Sequence, residues 1–225
     1  MSELVPDFKN RRRFQRVIIK GMEGDLSSLL GAEMAWANGE KTGIYDISYG
    51  GLAAAKPKQV SLSIGASLVG EVELSGKAPI RLTGEVAWFN DAIVGLSFAP
   101  LNIVARKTIN DFLDDKMIGA NLHLIHPQYY GPQMDCNYWF QSLRGVNLYI
   151  WVRNQKILKA RVEFDESWLN YESGKIELMG RSGESKDLVQ RTIEILSQVE
   201  PEKDLLKQLL KDIVQGSKSK ENQHG

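Results

Sequence analysis

Two short clusters in this chain carry residue types suited to holding a compact anion. The first is Arg11-Arg12-Arg13-Phe14-Gln15-Arg16, which contains the spacing Arg12-x-x-x-Arg16. The second is Asp46-Ile47-Ser48-Tyr49-Gly50-Gly51, which reads D-x-S-x-x-G. Arginine is always charged, forks onto phosphate oxygens in paired bonds and stacks on flat rings. Its paired donors also match the O6 and N7 acceptors of guanine. Arg12 and Arg16 can reach one ligand from a turn or a short extended arm. Asp46 can accept from a guanine N1 or N2 hydrogen, and Ser48 can bond a base edge. Gly50 and Gly51 permit unusual backbone angles and close approach of a ligand. The set describes a pocket for a small, doubly charged phosphate ligand that carries flat bases.

Alone, each cluster is ordinary. Arginine runs are most often solvated faces, and D-x-S-x-x-G occurs at strand-ending turns. Their order, with apolar strands following, is the stronger signal. R-x-x-x-R followed by [D/N]-x-S-x-x-G resembles the PilZ family of cyclic di-GMP receptors. Residues 80–98 (IRLTGEVAWFNDAIVGLSF) are similar to that family's late hairpin, with Val86 and Trp88 on one arm and Val94 and Gly95 on the other. A helix over 103–116 follows, as the family's closing helix does. The resemblance covers about the first half of the chain. It implies cyclic di-GMP as ligand, with no cofactor, held by Arg11, Arg12, Arg13, Arg16, Asp46, Ser48, Gly50 and Gly51. An arginine in the place of Arg11 implies two ligand molecules per domain, because stacked ligands repel and a further guanidinium offsets the repulsion.

The remaining sequence sets the frame for these motifs. The chain has 225 residues, enough for one large or two small domains. Apolar and charged fractions of 43% and 25% are those of a globular protein, and the formal net charge of zero offers no field for a nucleic-acid polymer. One cysteine, Cys136, cannot form an internal disulfide. The start is polar and Arg-rich rather than apolar, and no apolar run is long enough to span a bilayer. A cytoplasmic protein is expected.

Short strands separated by turns are expected at 14–20, 32–37, 43–48, 52–55, 59–64, 67–74 and 79–89, with Asn38-Gly39 and Asn90-Asp91 as turns. They describe a mainly β fold with an antiparallel barrel. Asn102 is a candidate N-cap, and Ala105, Ile109, Phe112 and Leu113 form one apolar stripe. Asp114-Asp115 is assigned to the helix's wet face. A second, α+β domain is expected beyond a linker. Its strands lie at 147–152, 157–164, 168–171 and 175–179. In 157–164 Leu158, Ala160, Val162 and Phe164 point inward. Two helices follow, 186–199 and one whose first turn holds Pro201. The resulting division is a flexible arm 1–10, a ligand-binding domain 11–118, a linker 119–136, an output domain 137–215 and a disordered tail 216–225.

No P-loop, nucleotide-binding glycine signature or marked carboxylate pair points to catalysis, so a non-enzyme is expected. His123, His126, Asp135 and Cys136 do not match metal-ligand spacing. Tyr129-Tyr130 and Tyr138-Trp139-Phe140 read first as core and second as a partner surface. The leucine face of the last helix either packs on its own sheet or pairs with a second chain. The function expected is a cyclic di-GMP receptor that changes domain geometry and signals to a protein partner in motility, exopolysaccharide or a related output. The alternative is an adaptor that keeps the fold and binds only proteins.

Overall fold

The computed structural model describes residues 15–19, 31–130, 135–180, 185–199 and 203–221. The arm 1–10, Arg11, Arg12, Arg13 and Pro201 lie outside them. Two compact units divide the chain, Met1–Leu113 and Asp114–Gly225.

The first unit contains β1 (Val17–Ile18), β2 (Ala32–Trp36), β3 (Lys41–Ser48), β4 (Gly51–Ala55), β5 (Ser67–Leu74), β6 (Ile80–Phe89) and β7 (Ile93–Phe98). The sheet order β1-β3-β2-β5-β6-β7-β4 is closed by pairing of β3 with β4, so six strands form an antiparallel barrel and β1 lies beside β3. Closure leaves the ring without free edges. The alternation that forms it is plain in β6: Ile80, Leu82 and Val86 are buried, and Arg81 and Glu85 face water. Gly39 turns the β2–β3 hairpin with a left-handed φ of 83°.

The strand expected at 59–64 does not form. The barrel closes without it, because β5 pairs directly with β2 and β4 with β7. The bonds that flank it are not those of a strand: Lys58 N–H donates to the Glu40 carboxylate, Gly65 N–H to the Val86 carbonyl and Ala66 N–H to the Ser63 carbonyl.

Helix α1 (Ile103–Ala120) begins as expected, with Asn102 Oδ1 accepting from Ala105 N–H at 2.8 Å. Ala105, Ile109, Phe112 and Leu113 are all buried. The helix continues four residues past the expected end at 116. The division between units falls inside it, and its later turns are fully part of the second unit.

That unit holds β8 (His123–Ile125), a 3₁₀ turn (Pro127–Tyr129), β9 (Tyr138–Gln141), β10 (Asn147–Arg153), β11 (Lys156–Phe164), β12 (Ser167–Glu172), β13 (Lys175–Met179), α2 (Ser185–Leu196) and α3 (Lys203–Glu221). The strands form one antiparallel meander in chain order, and the helices pack on it. Residues 119–136 therefore differ from a plain linker, since β8 pairs with β9.

The extension of α1 has a cause. A Cβ on Gly119 would lie 2.0 Å from the Ile195 carbonyl oxygen, so α1 and α2 touch backbone to backbone there. Beside that contact the fully buried Lys116 ammonium stands 3.3 Å from Glu194. Arg191 holds Asp115 through Nε and Nη2 at 3.0–3.3 Å. Asp115 is thus not on the wet face; only Asp114, paired with exposed Arg144, is.

Leu158 also departs from expectation and is 44% exposed. A bulge pairs Trp151 with Lys159 and Val152 with Ile157, which leaves Leu158 over. Ala160, Val162 and Phe164 point inward as expected. The leucine face of α3 is consumed within its own unit, where Leu206, Leu209, Leu210 and Ile213 are buried against α2 and the sheet. The helix runs through Gly216 to Glu221, so the tail expected from 216 is helical for most of its length. Gly216 lies over Ile176, extending the packing past the point where apolar residues stop.

Candidate functional site

The site is set by a single extra residue in β3. Ile44 faces the core and pairs with Ala54, and Asp46 pairs with Ala53. Tyr45 between them has no counterpart in β4. Such a bulge reverses the in–out phase of everything after it. Ile47 therefore enters the core, with no exposed surface, and Asp46 turns outward. Without the bulge Asp46 would share the inward face of Ile44.

Strand β1 brings the arginine to this place. Val17 pairs with Ile47 and Ile18 with Asp46. Ile19 N–H donates to the Tyr45 carbonyl at 2.8 Å, so the bulged residue anchors the strand. One residue before Val17, the Arg16 guanidinium donates through Nη1 to the Asp46 carboxylate. Both side chains are partly exposed, 20% for Arg16 and 26% for Asp46. The pair can therefore exchange partners with a ligand while remaining oriented by the strands.

Ser48 is buried and held at the β3–β4 turn. Its Oγ donates to the Gly51 carbonyl at 3.2 Å and accepts from Gly50 N–H at 3.4 Å. Its first role is to shape the turn, and the hydroxyl keeps acceptor capacity. Gly51 does not adopt a left-handed backbone; its need for glycine is steric. An added Cβ would lie 2.2 Å from the Leu96 carbonyl oxygen.

Cross-strand register continues the site over the barrel wall. Asp46 pairs with Ala53, Ala53 with Gly95, and Gly95 with Trp88. Partners in one row share a face. Ala53 and Gly95 thus form a low floor between the Arg16–Asp46 pair and the Trp88 indole. The ring sits directly on Gly95, where a Cβ would come within 2.2 Å of its Nε1. Trp88 is 38% exposed, so it offers part of its surface to solvent. Sequence reading placed Trp88 in the hairpin but not in the site. A bulge between Val86 and Trp88 turns it outward, and a bulge has no sequence signature in this strand.

Of the expected site residues, the structure brings together Arg16, Asp46, Ser48, Gly50 and Gly51. Arg11, Arg12 and Arg13 are outside the described residues. Among the described residues, the other chemistry-bearing groups do not form a second site of this kind. His126 Nδ1 accepts from Gln128 N–H and caps the 3₁₀ turn. Asp135 accepts from Trp151 Nε1 at 2.8 Å. Burial pushes the Cys136 thiol above its ordinary pKa, the reverse of what activates a nucleophile. Among the described residues no group of His, Cys, Asp and Glu could hold a metal ion, and no helix is long and apolar enough to cross a membrane. Of the aromatic zone, Phe140 is core, whereas Tyr129 is 74% exposed and Tyr130, Tyr138 and Trp139 are partly so.

The PilZ domain model matches residues 10–115. No curated protein matches the chain significantly. Among solved structures, YcgR from Escherichia coli in complex with c-di-GMP is 14% identical with a TM-score of 0.36, over 46% of this chain and 45% of that one. The Bacillus subtilis inhibitor of motility MotI/DgrA is 19% identical with a TM-score of 0.36, over 48% of this chain and 52% of that one. PlzA from Borreliella burgdorferi in complex with c-di-GMP is 22% identical with a TM-score of 0.31, over 46% and 41%. The chain thus spans about half the length of each. Residues 10–115 of this chain belong to the PilZ family.

Proposed function

We propose that this chain is a cyclic di-GMP receptor, not an enzyme, and that the barrel's Arg16–Asp46–Ser48 edge is its binding site. The observation that carries the reading is the Arg16–Asp46 pair, held outward by the Tyr45 bulge beside Ser48 and a floor of small residues. Phosphate oxygens would take Arg16 from Asp46 and recruit Arg12, with Arg11 and Arg13 adding positive charge. The released Asp46 carboxylate would accept from guanine N1 and N2 hydrogens. Ser48 would bond a base edge, Gly50 and Gly51 would let the ligand approach the turn, and the Trp88 indole would supply a stacking surface.

Two ligand molecules per domain are proposed, with Arg11 offsetting the charge of the second. Ligand capture would engage the arginine-rich segment, change domain geometry and signal through the second unit to a protein partner in the cytoplasm. Motility, exopolysaccharide or a related process is the output proposed.

Titration calorimetry of the full chain with cyclic di-GMP tests the reading, with cyclic di-AMP as the control for guanine recognition. Saturable heat with two ligands per chain is expected, falling towards one in Arg11→Leu. No heat at high ligand concentration overturns the receptor assignment in favour of an adaptor. Saturation at one ligand overturns only the stoichiometry.

A further inference from the structure

Trp88 is set back from the carboxylate it would work with. Its backbone lies on β6, three strands along the barrel wall from Asp46 by way of Gly95 and Ala53. The side chain recovers part of that distance. The three atoms nearest to a Cβ built on Gly95 all belong to the indole, Nε1 at 2.2 Å, Cε2 at 2.3 Å and Cδ1 at 2.8 Å. The five-membered ring therefore occupies the place where any other residue at 95 would put its side chain. Neighbouring strands lie about 4.8 Å apart, so leaning over β7 carries the ring about that far towards Asp46 along the wall. In the row between them, Ala53 offers only a methyl group and is buried.

The backbone does not demand glycine here. Gly95 lies in the interior of β7, and its φ is not left-handed. Alanine would fit that backbone, and the nearest obstacle to it is the ring. Ordinary contact between carbon atoms is about 3.5–4.0 Å, so a methyl at 95 would push the indole back by roughly 1.5 Å. A ring over a strand glycine also has a purely structural reading, because a cross-strand aromatic offsets the weakness of glycine in a sheet. The two readings differ in what a methyl at 95 would cost: stability alone, or ligand affinity through Trp88.

We propose that Gly95 is a positioning residue for ligand recognition: by carrying no side chain it lets the Trp88 indole lean towards Asp46, so that ring and carboxylate engage one ligand together. The inference rests on the receptor reading given above. Calorimetry with cyclic di-GMP compares the full native chain with Gly95→Ala, Trp88→Ala and the double variant. Gly95→Ala should weaken binding about fivefold or more. The double variant should bind as Trp88→Ala does, because the methyl then has no ring to displace. Such non-additivity marks two residues that act through one contact. Ligand should also quench tryptophan emission less in Gly95→Ala than in the native chain.

A native chain that binds, with Gly95→Ala binding equally well, overturns the inference and leaves the receptor reading standing. So does a loss in Gly95→Ala that repeats in full in the Trp88→Ala background. A native chain that gives no heat overturns both. Should Gly95→Ala fail to fold, the seat is tested in the native chain with fluorotryptophan incorporated. The Trp88 resonance, assigned by its loss in Trp88→Phe, should shift on addition of cyclic di-GMP. A resonance unmoved at saturating ligand overturns the inference.

Discussion

Replacing Arg16 with alanine separates the arginine's work for the fold from its work for the ligand. In the free protein its partner is Asp46, and both side chains retain solvent contact, 20% and 26%. A pair so placed contributes about 0.2–1 kcal/mol. Val17 and Ile47, both with no exposed surface, hold β1 in register regardless of Arg16. The melting midpoint should therefore fall by only a few degrees. In the complex Arg16 would make two charge-assisted bonds to phosphate, each contributing about 1.5–3 kcal/mol. Subtracting the pair given up to reach them leaves a net loss of about 2 kcal/mol or more, roughly thirtyfold in Kd. Asp46→Ala should weaken binding less, because it removes a base acceptor but frees Arg16. Calorimetry with cyclic di-GMP on Arg16→Ala, Asp46→Ala and the double variant measures each cost and their coupling. An unchanged Kd in Arg16→Ala would refute the reasoning. A large loss of stability in that variant would show that the arginine serves the barrel first.

Three further outcomes are expected. Gly51→Ala should destabilise the barrel by about 1–3 kcal/mol, measured by urea unfolding, because its Cβ meets the Leu96 carbonyl at 2.2 Å. Trp88→Ala should weaken cyclic di-GMP binding by about 1–3 kcal/mol, and ligand should quench tryptophan emission in the native chain more than in that variant. Tyr171, buried and donating to Asp212 at 2.7 Å, has its pKa pushed up to about 12 by burial first and by the Asp212 bond second. A raised folded-state pKa gives stability that is fully present below the unfolded value near 10 and is lost as pH rises towards about 12. Unfolding free energy should decline across that window, and Tyr171→Phe should flatten the decline.

Much of the barrel can be read from alternation and turns, as β5 shows, observed over the expected 67–74. The same signal misleads at 59–64, where Val60, Leu62 and Ile64 alternate like a strand. Alternation reports which side chains could share a face. It does not report whether a neighbour's ladder is vacant, and here the ring closes without that segment. The site motifs were visible because their residue types are rare together. That Arg16 rests on Asp46 was not visible, because it depends on the β1–β3 register between residues thirty positions apart. Trp88 escaped for the same reason: its seat over Gly95 is a cross-strand fact. The later turns of α1 and α3 escaped because their packing uses Gly119 and Gly216, residues that otherwise signal helix ends.

The Tyr45 bulge makes the binding edge depend on parity. The chemical identity of residue 45 matters less than its being present, since its contribution is to shift by one the count between Ile44 and Ser48. Deleting it would leave every motif residue in the chain, in order, and would turn Asp46 and Ser48 towards the barrel interior while expelling Ile47. A deletion there should cost both the barrel and the site, whereas many substitutions at the same position should cost neither. In this strand, length is the more stringent constraint and composition the looser one. Two chains with identical D-x-S-x-x-G motifs can therefore differ completely in what they present to solvent, according to whether the residue count before the aspartate is odd or even.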